Sequence, residues 1–232
     1  MSKFLIQNIQ GILFIENFAF RDKLVIASKI NEGVNNLFDG DPIMLDLPPQ
    51  VPLEIPRIQL KSSNAVYSLN FSPIRIDFFY NEPGKPEKTL DSLSGDYLKY
   101  LFSIVELIKA DYYLGVLRIA LVLKTLSEME AGSNLFVYEK FLGENSFFKG
   151  ASSLEIHALE KTTMKDYYIN RWLRMKTGIG FPVNEKVLSV EIDINTMPER
   201  HVDFDSEKIK NFYKNSLDFA KQNFSGCFGE SL

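Results

Sequence analysis

Cysteine is almost missing from this sequence, and long apolar runs are missing altogether. The 232 residues include a single cysteine, Cys227, so neither an internal disulfide nor a cysteine-rich zinc site can form. No segment approaches the roughly 20 consecutive apolar residues that a membrane-spanning helix needs. Amides interrupt the apolar N-terminal residues, which therefore lack the continuous apolar stretch of a signal peptide. These absences predict a cytoplasmic protein without a membrane segment.

The motifs of common catalytic and cofactor sites are also absent. The sequence has no Gly-x-x-x-x-Gly-Lys-Ser/Thr phosphate loop, no Gly-x-Ser-x-Gly nucleophile elbow and no His-Glu-x-x-His zinc motif. Only two histidines are available for a mechanism that needs an imidazole base. We therefore expect a non-enzymatic protein with no cofactor.

Positive charge is not in excess. Lysine and arginine together number 26 against 30 aspartates and glutamates, which gives a formal net charge of −4. Nucleic-acid-binding proteins usually present clustered basic residues, and no such cluster occurs in this sequence. The composition therefore disfavours nucleic acid as a partner. Aromatic residues make up 13% of the chain and supply ample material for a large core.

A regular succession of strand and helix patterns runs along the chain. Apolar and polar residues alternate as in half-buried strands, or recur at helical spacing. The predicted strands are residues 5–18, 57–60, 66–71, 74–80, 115–124, 153–159, 167–176 and 187–194. The predicted helices are residues 22–37, 90–110, 134–142 and a last helix capped by Asp205 or Ser206. The fold class is therefore α+β: a mostly antiparallel sheet with helices packed on one face.

The predicted elements spell the same string, βαβββα, twice. We expect a single compact body over residues 1–232, with halves at residues 1–126 and 127–232. Two such halves would pair about a pseudo-twofold axis and form one broad sheet. Strings of this kind are common in α+β proteins, so the same order also arises without duplication.

One candidate site consists of acidic residues and a histidine on two predicted strands. Glu155 and His157 alternate with apolar residues on one strand, and Glu191 and Asp193 do the same on another. If the two strands are neighbours, these four side chains share one polar patch that could bind a divalent metal or act as acid and base. This patch predicts a metal-dependent hydrolase. The alternative is a solvated sheet face, because polar residues must alternate with core residues on any half-buried strand.

A second candidate site consists of arginines on strands. Arg57, Arg75, Arg118 and Arg174 each interrupt a predicted strand and could meet on one open sheet face. Guanidinium groups arranged in this way bind anions or acidic peptides. The alternative is that they pair across strands with nearby carboxylates.

A further pattern consists of three short strands, a long helix and the strand around Arg118–Leu121; the three strands are Ile55–Ser63, Val66–Phe71 and Ile74–Asp77. This pattern, over residues 50–125, resembles a bacterial family of sporadic distribution and unassigned function. The chain lacks the Asn-Trp pair that the family pattern would have near Phe78 and Phe79. Sporadic distribution implies a mobile-element or defence context, and it supplies no catalytic residues.

Together these patterns predict a binding or assembly module. Its open sheet face would recognise a protein partner or a small anionic ligand. An open sheet with aromatic edges also favours pairing with a second copy of the chain, which predicts a homodimer. The metal-dependent hydrolase is the alternative function.

Overall fold

An antiparallel sheet is the framework of the molecule. The computed structural model describes residues 3–48, 50–129, 132–143, 148, 151–179, 184–199 and 202–229. Within these residues nine strands form one sheet in which every pair is antiparallel. They are β1 (Leu5–Ile15), β2 (Ile43–Met44), β3 (Ile58–Lys61), β4 (Tyr67–Ser72), β5 (Arg75–Asn81), β6 (Val116–Glu128), β7 (Glu155–Met164), β8 (Tyr167–Ile179) and β9 (Asn184–Thr196). The predicted fold class is confirmed.

Four α-helices accompany the sheet in the described part of the chain. They are α1 (Lys23–Gly33), α2 (Leu90–Tyr112), α3 (Ser133–Val137) and α4 (Ser206–Phe228), and a π-helical turn, Tyr138–Leu142, extends α3. No helix among the described residues combines the length and the hydrophobicity that crossing a membrane requires.

The strand order is the same in the two halves of the sheet. The order of strands across the whole sheet is β2-β3-β4-β5-β1-β6-β9-β8-β7. In the first half β3, β4, β5 and β1 follow one another across the sheet, and in the second half β7, β8, β9 and β6 do so. The strands that open the halves, β1 and β6, pair antiparallel at the centre. If the halves are divided according to this strand order, the second half begins at Val116, the first residue of β6. The predicted division after residue 126 would instead cut β6 near its end.

Alternation along the strands separates a core face from an open face. On β5, Ile76, Phe78 and Tyr80 are buried in the hydrophobic core, while Arg75 and Asp77 point to the other side. This is the alternation that the sequence predicts for residues 74–80. Core residues from both halves belong to one continuous cluster, so a single core underlies the whole sheet.

Two buried tyrosines join the long helices to the central strands. Tyr97 of α2 donates its hydroxyl to the carbonyl of Phe78 at 3.0 Å, and Tyr213 of α4 donates to the carbonyl of Ile12 at 2.8 Å. Burial raises the pKa of Tyr97 and of Tyr213 well above the usual value, so both phenols remain protonated donors. These bonds hold α2 and α4 against the core face, and the opposite face carries none of the described helices.

Two details differ from the sequence predictions. Cys227 belongs to the last turn of α4 and is half-buried, although its glycine neighbours predict a mobile tail. Leu117, which the alternation assigns to the core side, is 44% exposed. The register of the β1–β6 pair shifts between Phe14 and Ile15, so Leu117 has no partner on β1. This bulge interrupts the alternation of side chains between the two faces of the sheet, and Leu117 is exposed as a result.

Candidate functional site

Three side chains form a row across the open face at the centre of the sheet. Phe14 of β1 pairs with Arg75 of β5 on one side and with Arg118 of β6 on the other. Because paired residues on neighbouring strands point to the same face, the three side chains lie next to one another. We call Arg75, Phe14 and Arg118 the arginine row.

The phenyl ring of Phe14 lies between two guanidinium groups. The guanidinium carbon of Arg118 is 4.8 Å from the ring centroid, and that of Arg75 is 5.3 Å away. Both distances fall within the range of favourable cation–π contacts. The ring therefore holds the two arginines apart and in place, and all three side chains remain partly exposed.

The two arginines differ in their electrostatic partners. Arg75 donates from Nε and Nη2 to Oδ1 of Asp77 at 2.9 and 2.7 Å, and Gln10 donates to the same oxygen at 2.8 Å. Arg118 instead donates to neutral oxygens, the carbonyl of Thr196 at 3.2 Å and Oδ1 of Asn195 at 3.3 Å. Among the described residues no carboxylate forms an ion pair with Arg118. Its charge is therefore the uncompensated one in the row.

A small apolar floor lies beside the arginine row. Ile12 and Ala120, the next open-face residues on β1 and β6, form a cross-strand pair. They are 6% and 3% exposed, although they belong to the open face. Longer neighbouring side chains therefore shield them from solvent.

The other two predicted arginines do not join the row. Arg57 lies just before β3, two strands from Arg75, is 7% exposed, and donates to the carbonyl of Ile55 at 3.3 Å. Arg174 of β8 is bonded to Glu191 through Nη1 and lies 3.5 Å from Oδ2 of Asp193 through Nη2. Of the four arginines, the structure brings Arg75 and Arg118 together.

Arg174 belongs to a neutralised patch on the second half of the sheet. Its guanidinium carbon lies 5.1 Å from the ring centroid of Trp172, so it covers the tryptophan. Its two carboxylate neighbours balance its charge, as the alternative of cross-strand ion pairs predicts. An incoming anion would have to displace these carboxylates, which makes Arg174 a poor anion anchor.

The predicted patch of acids and a histidine is divided by a strand. The strands that carry its members, β7 and β9, are not neighbours, because β8 lies between them. Arg174 separates His157 from Glu191 in the cross-strand register. The condition of adjacent strands, under which the four side chains would share a patch, is therefore not met.

The four predicted residues therefore form two separate pairs, Glu155 with His157 on β7 and Glu191 with Asp193 on β9. His157 Nε2 lies 3.0 Å from Oε1 of Glu155, and Lys176 lies 3.8 Å from the same carboxylate. The hydrogen bond with His157, and next the charge of Lys176, lower the pKa of Glu155. Nowhere in the described ranges do three or more His, Cys, Asp or Glu side chains meet in a group that could hold a metal ion.

Sequence reasoning missed two members of the central arrangement, Phe14 and Asn195. Phe14 stands in an apolar strand and carries no local signal that it faces arginines. Its alternation with Leu13 and Ile15 places it on the open face, but its partners come from strands about 60 and 100 residues away in sequence. Only the strand order identifies them.

Comparisons of the chain with protein-family profiles, with curated proteins and with solved structures found no match in any of the three. The resemblance of residues 50–125 to a sporadic bacterial family stays a prediction. Any function must therefore be argued from the residues of this chain.

Proposed function

We propose that this protein is a non-enzymatic binding module that holds an anionic ligand on the arginine row of its open sheet face. The observation that carries the proposal is the environment of Arg118. Its guanidinium is partly exposed, stacked on Phe14, and bonded to neutral oxygens alone among its described neighbours. A guanidinium in such a position can donate to a carboxylate or phosphate without losing an ion pair.

The surroundings of Arg118 favour an anion with a planar apolar body. The partly exposed ring of Phe14 provides an apolar surface next to the guanidinium. Arg75 adds positive potential, although Asp77 neutralises most of it. An aromatic carboxylate or phosphate could place its charge on Arg118 and its ring against this surface.

The test is calorimetric titration with phenyl phosphate, inorganic phosphate and phenol. We expect phenyl phosphate to bind and Arg118→Gln to weaken it at least tenfold, because a hydrogen bond to a charged group contributes about 1.5–3 kcal/mol. Phe14→Leu should weaken phenyl phosphate more than inorganic phosphate, since it removes the ring and keeps the charge.

Arg174→Gln is the matched control for Arg118→Gln. Both variants remove one guanidinium from the open face, but Arg174 is already paired with Glu191 and Asp193. We expect Arg174→Gln to leave the affinity for phenyl phosphate within a factor of about two. Equal binding by the wild type and Arg118→Gln, with both proteins folded by circular dichroism, would refute the proposal.

We propose in addition that two copies pair through the edge strand β7. This ten-residue strand ends the sheet, and the N–H and C=O groups of its alternate residues point outward, where no described strand pairs with them. An antiparallel pair of β7 strands centred on Ala158 would set Glu155 opposite Lys161 of the second copy, twice by symmetry. Both residues belong to the same face of the strand, so their charges would meet.

A further inference from the structure

A small cavity lies on the core face of the sheet, between strands β7, β8 and β9 and the end of α4. Ala158, Leu173 and Ile192 form one cross-strand row on these three strands and line the cavity from the sheet side. Phe224 and Phe228 line it from the helix side. The volume of the cavity is about 200 Å³.

The cavity exists because the core face of β7 lacks bulky apolar side chains. Ala158, Glu160 and Thr162 follow one another on that face, and all three are exposed. Ile192 and Phe224, on the far side of the cavity, are only 4% and 1% exposed. The cavity therefore leads from a mouth at the edge of the sheet to a buried apolar floor.

The charged groups of the cavity walls neutralise each other. Arg171 of β8 is bonded to Glu160 through Nη2 and to Asn223 of α4 through Nη1. Its guanidinium carbon lies 5.2 Å from the ring centroid of Phe219, which also holds it in place. Arg171 and Glu160 are the charged residues of the described walls, so these walls carry no net charge. An ion in the cavity would lose its hydration without gaining an uncompensated partner.

The phenylalanines of the helix wall belong to an aromatic cluster. The ring centroids of Phe224 and Phe228 are 4.5 Å apart, and Phe4 lies 4.5 Å from Phe224 with its ring at 77°. The ring of Phe141 lies 5.7 Å from Phe228 at 67°. Edge-to-face contacts of this kind are favourable beyond the apolar area that they bury. A further ring in the cavity would gain such contacts, whereas a saturated ring of the same size would not.

We propose that this cavity binds a small neutral aromatic molecule with a single ring. The ring lies between Leu173 and Phe228, and a polar substituent points to the mouth beside Glu160. Apolar cavities of about 150 Å³ accommodate benzene, so this volume suits a ring with a short substituent. The site lies on the face of the sheet opposite the arginine row, and its occupancy does not depend on that row.

Cys227 reports directly whether the cavity is occupied. It lines the cavity, is half-buried, and is the only cysteine in the chain. A bound molecule covers the thiol, so benzyl alcohol should slow its alkylation by iodoacetamide saturably, by about fivefold or more. Mass spectrometry measures the rate. Benzyl alcohol should also raise the melting temperature, because it binds the folded chain.

Two matched probes test the chemical class of the ligand. Benzoate has the same ring but a negative charge, and it should bind about tenfold more weakly or less because the walls offer it no uncompensated cation. Cyclohexylmethanol keeps the hydroxyl but has a saturated ring, and it should bind about twofold to tenfold more weakly than benzyl alcohol. Calorimetric titration gives the three affinities.

Variants then assign the binding to this cavity. Ala158→Phe fills the space beside Leu173 and should weaken benzyl alcohol about tenfold or more. Thr162→Phe is the matched control, since Thr162 is exposed on the same face of β7 but does not line the cavity. It should leave the affinity unchanged, as should Arg118→Gln on the open face. Circular dichroism and melting curves show that each variant is folded.

Three results would overturn the inference. They are alkylation of Cys227 at the same rate with and without benzyl alcohol, binding of benzoate or cyclohexylmethanol as tight as that of benzyl alcohol, and an Ala158→Phe protein that binds like the wild type. Loss of phenyl phosphate binding in Arg118→Gln with benzyl alcohol binding intact would show that the two sites are separate.

Discussion

At the scale of single residues, the environment decides what a side chain can do. Four arginines interrupt strands in a similar way, yet Arg57 is buried against a carbonyl, Arg75 and Arg174 are bonded to carboxylates, and Arg118 has neutral partners. Of the four, only the guanidinium of Arg118 is both partly exposed and without an ion pair to a described carboxylate. Functional assignment by residue type would treat the four as equal.

Gly11 gives a prediction at this scale. A Cβ at this position would stand 2.9 Å from the hydroxyl of Tyr97 and 3.1 Å from Cδ2 of Leu101. Gly11→Ala should therefore displace the tyrosine that bonds to the carbonyl of Phe78 and lower the free energy of unfolding by about 1–3 kcal/mol. Urea denaturation measures this change.

Gly95 in α2 is the matched control. A Cβ there meets nothing within 4 Å, and alanine is the better helix former. Gly95→Ala should raise the free energy of unfolding by about 0.5–1 kcal/mol. A Gly11→Ala protein as stable as the wild type would contradict the close contact between β1 and α2.

Sequence predicts residue roles well where the signal is local and poorly where it is not. The alternation of Ile76, Phe78 and Tyr80 with Arg75 and Asp77 is a local signal, and the structure has it as predicted. The alternation assigns Leu117 to the core face, which is wrong, because the bulge that exposes it arises from pairing with β1. Nothing in the sequence around Leu117 indicates that bulge.

At the scale of elements, the ends of two helices follow directly from the sequence. Asp22 accepts a hydrogen bond from the backbone N–H of Val25 at 3.1 Å, and Asp205 accepts one from Lys208 at 2.7 Å. Because aspartate and serine both satisfy the free N–H groups of a first helical turn, the sequence predicts Asp22 as one cap and Asp205 or Ser206 as the other, and the structure has Asp205. The information lies within four residues of chain, so no tertiary structure is needed to find it.

Removal of the cap of α4 provides the prediction for this scale. Asp205→Ala should lower the free energy of unfolding by about 1 kcal/mol, because the N–H of Lys208 loses its acceptor. Asp205→Asn keeps an acceptor oxygen and should cost less than half as much. Thermal and urea denaturation of both variants, with Asp203→Ala as a nearby control, give the comparison. Equal losses for alanine and asparagine would show that charge, not capping, matters there.

Strand order is the part of element-scale structure that the sequence does not reveal. The patch of Glu155, His157, Glu191 and Asp193 requires β7 beside β9, but the chain inserts β8 between them. Consecutive hairpins make this order the natural one, and it sets Arg174 opposite both His157 and Glu191. The alternation of polar residues alone cannot distinguish the two arrangements.

At the scale of the whole molecule, the exposed edge of β7 has a measurable consequence. If two copies pair there, Glu155→Lys and Lys161→Glu should each raise the dimer dissociation constant about fivefold or more, because each sets like charges opposite one another. The double variant restores opposite charges and should recover most of the affinity. Sedimentation or light scattering over a range of concentrations measures all three.

Two outcomes would contradict pairing through β7. One is a wild-type protein that stays monomeric at high concentration. The other is a double variant that dimerises no better than the single variants, since swapped charges should suit each other as well as the native ones. Melting curves show whether the substitutions disturb the pairing of Glu155 with Lys176 inside the chain.

The shared strand order of the two halves has a consequence for what the molecule can hold. A rotation that exchanges β1 and β6 also exchanges the two ends of their junction. The arginine row lies at one end, and a cavity lined by Lys3, Lys85 and Leu126 lies at the other. In an assembly of two identical half-chains these ends would have the same chemistry, because one sequence would build both. The two halves of one continuous chain can differ in sequence, so the two ends can differ in chemistry. One end carries a ring between two guanidinium groups, and the other carries leucines and ammonium groups, so the two ends of one sheet can differ in the kind of molecule that each would suit.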